Sequence, residues 1–271
     1  MKRILVALCV LGLLSCENKK SEEKKTQTVV NAVPTLETVY SGFYPHDVNA
    51  FTEGLQYYDG QLFESTGSPK SLSNTRSLFG VVNMQTGEID VKVELDKTQF
   101  FGEGICVLND KLYQLTYKSR VGFIYDFNTF EELGRFQIPG QEGWGLTSDS
   151  TDLYMSDGTS YLKVLDPESL KVKKTIGVMQ NGVPRDSLNE LEYINGFVYA
   201  NIWLSNKIVK IDPSNGEVKG VLKFDAFAQE ARAINPKAQE MNGIAYNPET
   251  KKMLITGKMW PKIYEVTLLD K

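Results

Sequence analysis

One recurring position in this sequence holds carboxylates, amides and an indole: Glu53 in Thr52-Glu53-Gly54-Leu55, Glu103 in Gly102-Glu103-Gly104-Ile105, Trp144 in Gly143-Trp144-Gly145-Leu146, Asn189 in Leu188-Asn189-Glu190-Leu191 and Asn242 in Met241-Asn242-Gly243-Ile244. A second position, five residues past the apolar start of the following strand, holds Gly67, Tyr117, Gly158, Trp203 and Lys258. Carboxylates can carry protons, while ammonium, amide and indole N–H groups can stabilise developing negative charge. A repeat that served structure alone is expected to place small or apolar side chains at equivalent positions, because a buried ionisable group is costly unless paired or solvated. Taken singly, Glu53 or Glu103 is explained as well by hydrogen bonds that bridge neighbouring strands. Taken as a set, the residues point to a wet, functional site.

The rest of the chain offers less. His46 is the sole histidine, and one His without Cys or clustered acids is a poor transition-metal site, so a structural hydrogen bond is expected of it. Asp157 in Ser156-Asp157-Gly158 reads as ordering a strand-end turn. There is no phosphate-cradling glycine loop and no dinucleotide fingerprint. Neither a metal nor a cofactor is expected.

The elements that position these residues form a repeat. Five copies begin at Phe51, Phe101, Glu142, Asn189 and Met241, each reading strand, turn, strand. Asp59-Gly60, Asn109-Asp110, Asn195-Gly196 and Asn247-Pro248 mark the turns. A third strand follows each pair, at Leu78–Asn83, Gly122–Asp126, Leu162–Asp166, Ile208–Asp212 and Ile263–Leu268, and a more polar fourth follows in four copies, as at Glu88–Leu95 and Glu217–Phe224. The last copy ends after three strands, and Leu36–Phe43 lies unassigned ahead of the first. A period of about 45 residues with four antiparallel strands per unit predicts an all-β fold, a five-bladed β-propeller whose N-terminal strand completes the last blade. In such a ring, equivalent positions surround one channel mouth. The only helix-like stretch, Asp225–Ala233, falls between blades.

From about Tyr44 to Val266 the chain also resembles the plant-type glutaminyl-peptide cyclotransferases, a family of plants and bacteria. The motifs are Pro45-His46-Asp47 ahead of Phe51-Thr52-Glu53-Gly54-Leu55, Phe101-Gly102-Glu103-Gly104, Glu142-Gly143-Trp144-Gly145-Leu146-Thr147, Ser156-Asp157-Gly158, Leu188-Asn189-Glu190-Leu191-Glu192, Asn201-Ile202-Trp203, Met241-Asn242-Gly243-Ile244-Ala245 and Thr256-Gly257-Lys258. The resemblance implies a five-bladed propeller that closes N-terminal glutamine of peptides or proteins to pyroglutamate with release of ammonia. It implies Glu103 as the proton-transferring residue and contacts to substrate from Phe51, Phe101, Trp144, Asn189, Trp203 and Lys258. Plant members commonly carry Gln where this chain has Glu53 and Trp where it has Tyr117. The corresponding mechanism makes Glu103 accept the proton of the substrate ammonium and return it to the leaving nitrogen. Lys258, Asn189 and an indole N–H from Trp144 or Trp203 are the candidate donors to the γ-oxygen, with Tyr117 and the indoles walling the pocket. No metal takes part in this aminolysis. The rival reading is a non-catalytic, lipid-anchored propeller that captures peptides or a partner protein at its mouth; a propeller hydrolase or lyase is a third.

With 271 residues and a formal charge of −4, the chain can bury a full core and has no electrostatic case for a nucleic-acid partner. Residues 1–16 open with Lys2-Arg3, run apolar from Ile4 to Leu14 and end at Leu14-Ser15-Cys16, the pattern of a bacterial lipoprotein export signal in which Cys16 is acylated. Residues 17–34 are polar and charged and read as a flexible tether, leaving 35–271 as the propeller. The expected protein is an exported monomer held to a membrane only by lipid, periplasmic or on the cell surface. Loss of Cys9 and acylation of Cys16 leave Cys106 without a disulfide partner.

Overall fold

A computed structural model describes residues 32–269. The export signal, Cys16 and nearly all of the tether lie outside the described residues. What is described forms five four-stranded antiparallel sheets. Blade 1 comprises Thr52–Tyr58, Gln61–Thr66, Leu78–Val82 and Ile89–Glu94; blade 2 comprises Gly102–Leu108, Lys111–Thr116, Val121–Asp126 and Glu132–Gln137. Blade 3 has Leu146–Ser148, Leu153–Met155, Tyr161–Leu165 and Val172–Gly177; blade 4 has Leu188–Ile194, Phe197–Ile202, Lys207–Ile211 and Val218–Lys223. Blade 5 runs Met241–Asn247, Lys252–Gly257, Lys262–Leu268, and its outer strand is the N-terminal Thr38–Pro45, paired antiparallel to Lys262–Leu268. This is the closure the unassigned N-terminal segment predicts. It exchanges two exposed edges for one ladder.

Local chemistry accounts for the blades. Asp59-Gly60, Asn109-Asp110 and Asn195-Gly196 all adopt positive φ at both residues, the backbone of the tight hairpin turn those sequences favour. The turn at Asn247 is wider than its Asn-Pro pair suggests: the Asn247 side chain accepts from the N–H groups of Glu249 and Thr250, and the chain turns back only past Lys251. Third strands end on an Asn or Asp whose side chain accepts from backbone N–H groups of the next turn, as Asn83, Asp126, Asp166 and Asp212 do. Apolar side chains from facing sheets fill the spaces between blades. Between blades 4 and 5 the helix Asp225–Ile234 adds Ala228 and Ala231 to a cluster around the fully buried Trp260. A two-stranded hairpin, Met179–Gln180 with Val183–Pro184, leaves blade 3 and was not signalled by the repeat.

The five innermost strands contact one another in a closed ring. Four of them carry glycine after the recurring site position, and the space is needed: a Cβ on Gly145 would lie 2.2 Å from the Asn189 carbonyl oxygen, and one on Gly104 would lie 2.6 Å from the backbone of Trp144. Blade 4 has Glu190 at that place. Its carboxylate reaches across the channel to accept from the N–H groups of Leu55, 3.2 Å, and Ile244, 2.8 Å, tying blades 1, 4 and 5 together.

Candidate active site

Both recurring positions converge on one mouth of the ring. A cavity of about 300 Å³ is lined there by Glu53 and Phe51 of blade 1, Glu103, Phe101 and Tyr117 of blade 2, Trp144 of blade 3, Asn189 and Trp203 of blade 4 and Lys258 of blade 5. In blades 1, 2, 4 and 5 the ladder slips by one residue at the site position, between Thr52 and Gly54, Gly102 and Ile105, Leu188 and Leu191, and Met241 and Ile244. Such bulges re-aim a side chain that regular pleating would direct into a blade interface. The glycines of the second ring make room for aromatic rings: Phe101 of blade 2 lies against Gly67 of blade 1, and Trp144 lies against Gly158 of its own blade. An aromatic arc results, with Phe51 edge-on to Phe101, Tyr117 beside Phe101 and Trp144, and Trp144 edge-on to Trp203 at 5.5 Å.

Charge is concentrated where that arc ends at Phe51. The Lys258 ammonium sits 2.9 Å from Glu53, 3.2 Å from Glu240 and 4.7 Å above the Phe51 ring. Burial works against its charge, but the carboxylates of Glu53 and Glu240 more than offset this and hold its pKa above the usual lysine range. Glu53 is pushed up to about 7, chiefly by burial with Lys258 opposing. Glu103 is 4 % exposed, and among the described residues no hydrogen bond holds its carboxylate. Burial first, then the nearby Glu53 carboxylate, raises it well above an ordinary carboxyl group. The Asn189 side-chain oxygen is buried without a partner. Asn189 lines the cavity, so a group entering it can supply the missing hydrogen bond.

A buried clamp lies behind the Lys258–Glu53 pair. His46 contacts the Trp260 carbonyl at 2.7 Å and both oxygens of Glu64 at 3.0 and 3.1 Å, and Thr52 donates to Glu64 at 2.7 Å. Burial opposes charge on His46, but Glu64 outweighs it and raises the imidazole pKa. Thr52 immediately precedes Glu53, and Trp260 closes the turn that carries Lys258. His46 therefore has the structural role expected of it. Asp157 orders its turn through the Thr159 N–H and pairs with Lys163.

Two sequence expectations change. The Trp144 indole N–H is not available to a ligand, because it donates to Glu142 at 3.0 Å; among the two indoles the open donor is Trp203, which is 42 % exposed. Asn242 does not line the cavity but donates to Glu53 at 3.0 Å and to the Thr52 carbonyl, which orients Glu53. Glu240, Glu142 and Pro69 were missed. None sits at a recurring position, and only Glu142 lies within a family motif. Among the described residues no cluster of three or more His, Cys, Asp or Glu could hold a metal ion, and no helix is long and apolar enough to cross a membrane.

Comparison with known proteins places this geometry. The profile of a family described as glutamine cyclotransferase matches residues 6–268. The glutaminyl-peptide cyclotransferase of Arabidopsis thaliana is 37% identical over 227 residues, which are 83% of this chain and 69% of that protein. The crystal structure of Myxococcus xanthus glutaminyl cyclase superposes with a TM-score of 0.77 at 31% identity, over 87% of this chain and 100% of that one.

Proposed function

The chain belongs to the glutamine cyclotransferase family, and from that premise we propose that its Glu103 cavity is where an N-terminal glutamine is closed to pyroglutamate with release of ammonia. The enzyme is an acyltransferase: its substrate's own amine takes the acyl group of the γ-carboxamide. Peptides and proteins beginning with glutamine are its substrates. The observation that carries the site assignment is a buried Glu103 carboxylate, without a hydrogen bond among the described residues, sharing one small cavity with the Asn189 amide and the Lys258 ammonium.

The substrate amine arrives largely as an ammonium, since its reference pKa is about 7.7–8.0. Glu53, Glu103 and Glu240 around the single Lys258 cation make a mouth that attracts it. Glu103 takes one proton from this ammonium. The freed amine attacks the γ-carbonyl carbon, forming the ring C–N bond and moving the carbonyl electron pair onto oxygen. Glu103 then gives its proton to the departing nitrogen as the old C–N bond breaks, and ammonia leaves. The remaining extra proton on the ring nitrogen passes out through the regenerated carboxylate. A carboxyl group that burial raises above its ordinary range holds a proton more readily and can still return it, which suits both halves of this transfer. The Lys258 ammonium, the Asn189 amide and the Trp203 indole N–H are the donors for the oxyanion. The aromatic arc holds the glutamine stem folded over its own amine, which gains part of the advantage of an intramolecular reaction. All of these groups are organic side chains, and the one histidine is already committed to Glu64 and Trp260, so the reaction is proposed to run without a metal.

Ammonia release from a Gln-initiated peptide, with the matching mass loss, tests the assignment. Turnover above the spontaneous rate that is lost in Glu103→Ala supports it; equal turnover in that variant removes Glu103 from its role. A propeller that merely captured peptides has no use for a lysine held between two carboxylates. We also propose that residues 1–16 direct export, that Cys16 is acylated, that residues 17–34 tether the 35–271 domain to a membrane, and that the domain works as a monomer. Labelling with a fatty-acid analogue, absent in Cys16→Ser, tests the anchor.

A further inference from the structure

If the Glu103 cavity is the glutamine site, a peptide whose first residue fills it must lead its later residues out across the rim. One wall continues outward. The strand Gln61–Thr66 ends beside Gly67, which the Phe101 ring covers, and two residues later Pro69 lines both the cavity and a separate groove of about 370 Å³. Leu72 gives that groove apolar surface, Lys70 and Lys97 give it two ammonium groups, and no carboxylate lines it.

The loop that forms the groove is braced rather than loose. Leu72 N–H donates to the Pro69 carbonyl at 2.9 Å, Ser68 Oγ to the Thr75 carbonyl at 2.9 Å, and Thr75 Oγ1 to the Leu72 carbonyl at 2.7 Å. Lys97 Nζ reaches only carbonyl oxygens, of Ser73 and Thr75, at 3.5 and 3.4 Å. Lys70 has no hydrogen-bond or ion-pair partner among the described residues. By contrast Lys118, next to Tyr117 of the cavity wall, lies 3.6 Å from Glu142, and Lys163 pairs with Asp157. In a chain of net charge −4, positive charge therefore meets the cavity at this groove, from Lys70, which has no carboxylate partner among the described residues, and from Lys97, whose charged neighbour is the exposed Glu94 outside the groove.

We propose that the groove receives the residues following the N-terminal glutamine and favours an acidic side chain among the first three of them; this rests on the glutamine site proposed above. Gln-initiated peptides that differ only in carrying Glu, Ala or Lys at the second to fourth positions are compared, with glutaminamide, which has no following residue, as the reference. The expected order of kcat/KM is Glu above Ala above Lys. Glu should exceed Lys by roughly twofold to tenfold, the range of one or two exposed ion pairs, expressed in KM and flattened by high salt. Lys70→Glu breaks no bond and should by itself shrink the Glu-over-Lys ratio; Lys70→Glu/Lys97→Glu should reverse it. Equal kcat/KM for the three peptides, in an enzyme that cyclises glutaminamide, overturns the groove. A Glu preference that persists in both variants overturns its assignment to these lysines. Failure to turn over glutaminamide overturns instead the cavity assignment beneath it.

Discussion

Glu103→Gln is the substitution that separates chemistry from architecture. The side chains have the same shape, the position is 4 % exposed, and no protein hydrogen bond to the carboxylate is lost. Burial and the Glu53 carboxylate already disfavour the charged form, so a neutral amide relieves a cost and the variant should melt at the same temperature as the parent or higher. Catalysis should move the other way. Removing the group that carries the proton is worth about 10²–10⁴ in kcat, or about 3–5.5 kcal/mol on the barrier. Initial rates of ammonia release from a Gln-initiated peptide, taken from pH 5 to 9, measure this beside a thermal melt. The parent's acid limb should turn at a pH above the ordinary carboxyl range, because burial raises Glu103, and the variant should lack that limb. A kcat within tenfold of the parent refutes the assignment. So does a slow variant that keeps the same acid limb, since another group then governs it.

Glu53→Gln removes the neighbouring carboxylate that helps raise Glu103, so the acid limb should shift to lower pH; an unmoved limb means the two do not interact in solution. Trp203→Phe keeps the ring but not the N–H, and should lower kcat by several-fold to tenfold with little change in KM, the scale of one oxyanion donor at a half-exposed place, whereas a pure KM effect would make Trp203 a wall only. His46→Gln leaves Glu64 without its imidazolium partner and should lower the melting temperature by several degrees, since a broken buried pair costs about 3–5 kcal/mol; if His46 also positions Lys258, kcat of the folded variant falls with KM nearly constant, and an unchanged kcat limits the clamp to stability. The fold should be less stable at pH 8.5 than at pH 6. Glu192 is raised by burial to about 8, above its unfolded value of about 4.5, so the stability its neutral form contributes is present in full below the unfolded value and is lost as pH rises through 8. Melting curves of Glu192→Gln should show a shallower decline; an identical decline sinks the attribution. Exhaustive dialysis against a chelator should leave turnover intact, and loss restored by an added divalent ion would refute a metal-free reaction.

The architecture was legible because its signals are local and repeated. Asp59-Gly60 and Asn195-Gly196 force tight turns wherever they occur, the third-strand Asn and Asp residues cap their own loops, and a segment left over at one end with a strand missing at the other leaves one way to close a ring. The Met179–Val183 hairpin and the long turn after Asn247 escaped because neither obeys the repeat. The site was legible in part for the same reason. Glu103, Asn189 and Lys258 were found because register in a closed ring is geography, so positions far apart in the chain share one mouth. Glu240 and Pro69 were not found, because they stand in connections between strands, where no periodicity tells which way a side chain points.

Composition, turn residues and the spacing of five copies thus determined the blades, their order and the residues available to the channel mouth. Tertiary structure alone decided how those residues are used. A bulge turns Glu103 into the cavity, Glu142 takes the Trp144 N–H so that Trp203 is left as the open indole, Asn242 is spent on orienting Glu53, and Glu190, where the other four blades carry glycine, ties blade 4 to blades 1 and 5. The reason is physical: repeat spacing is set by backbone hydrogen bonding within one blade, whereas the partner, burial and proton affinity of each side chain are set by atoms of the neighbouring blades.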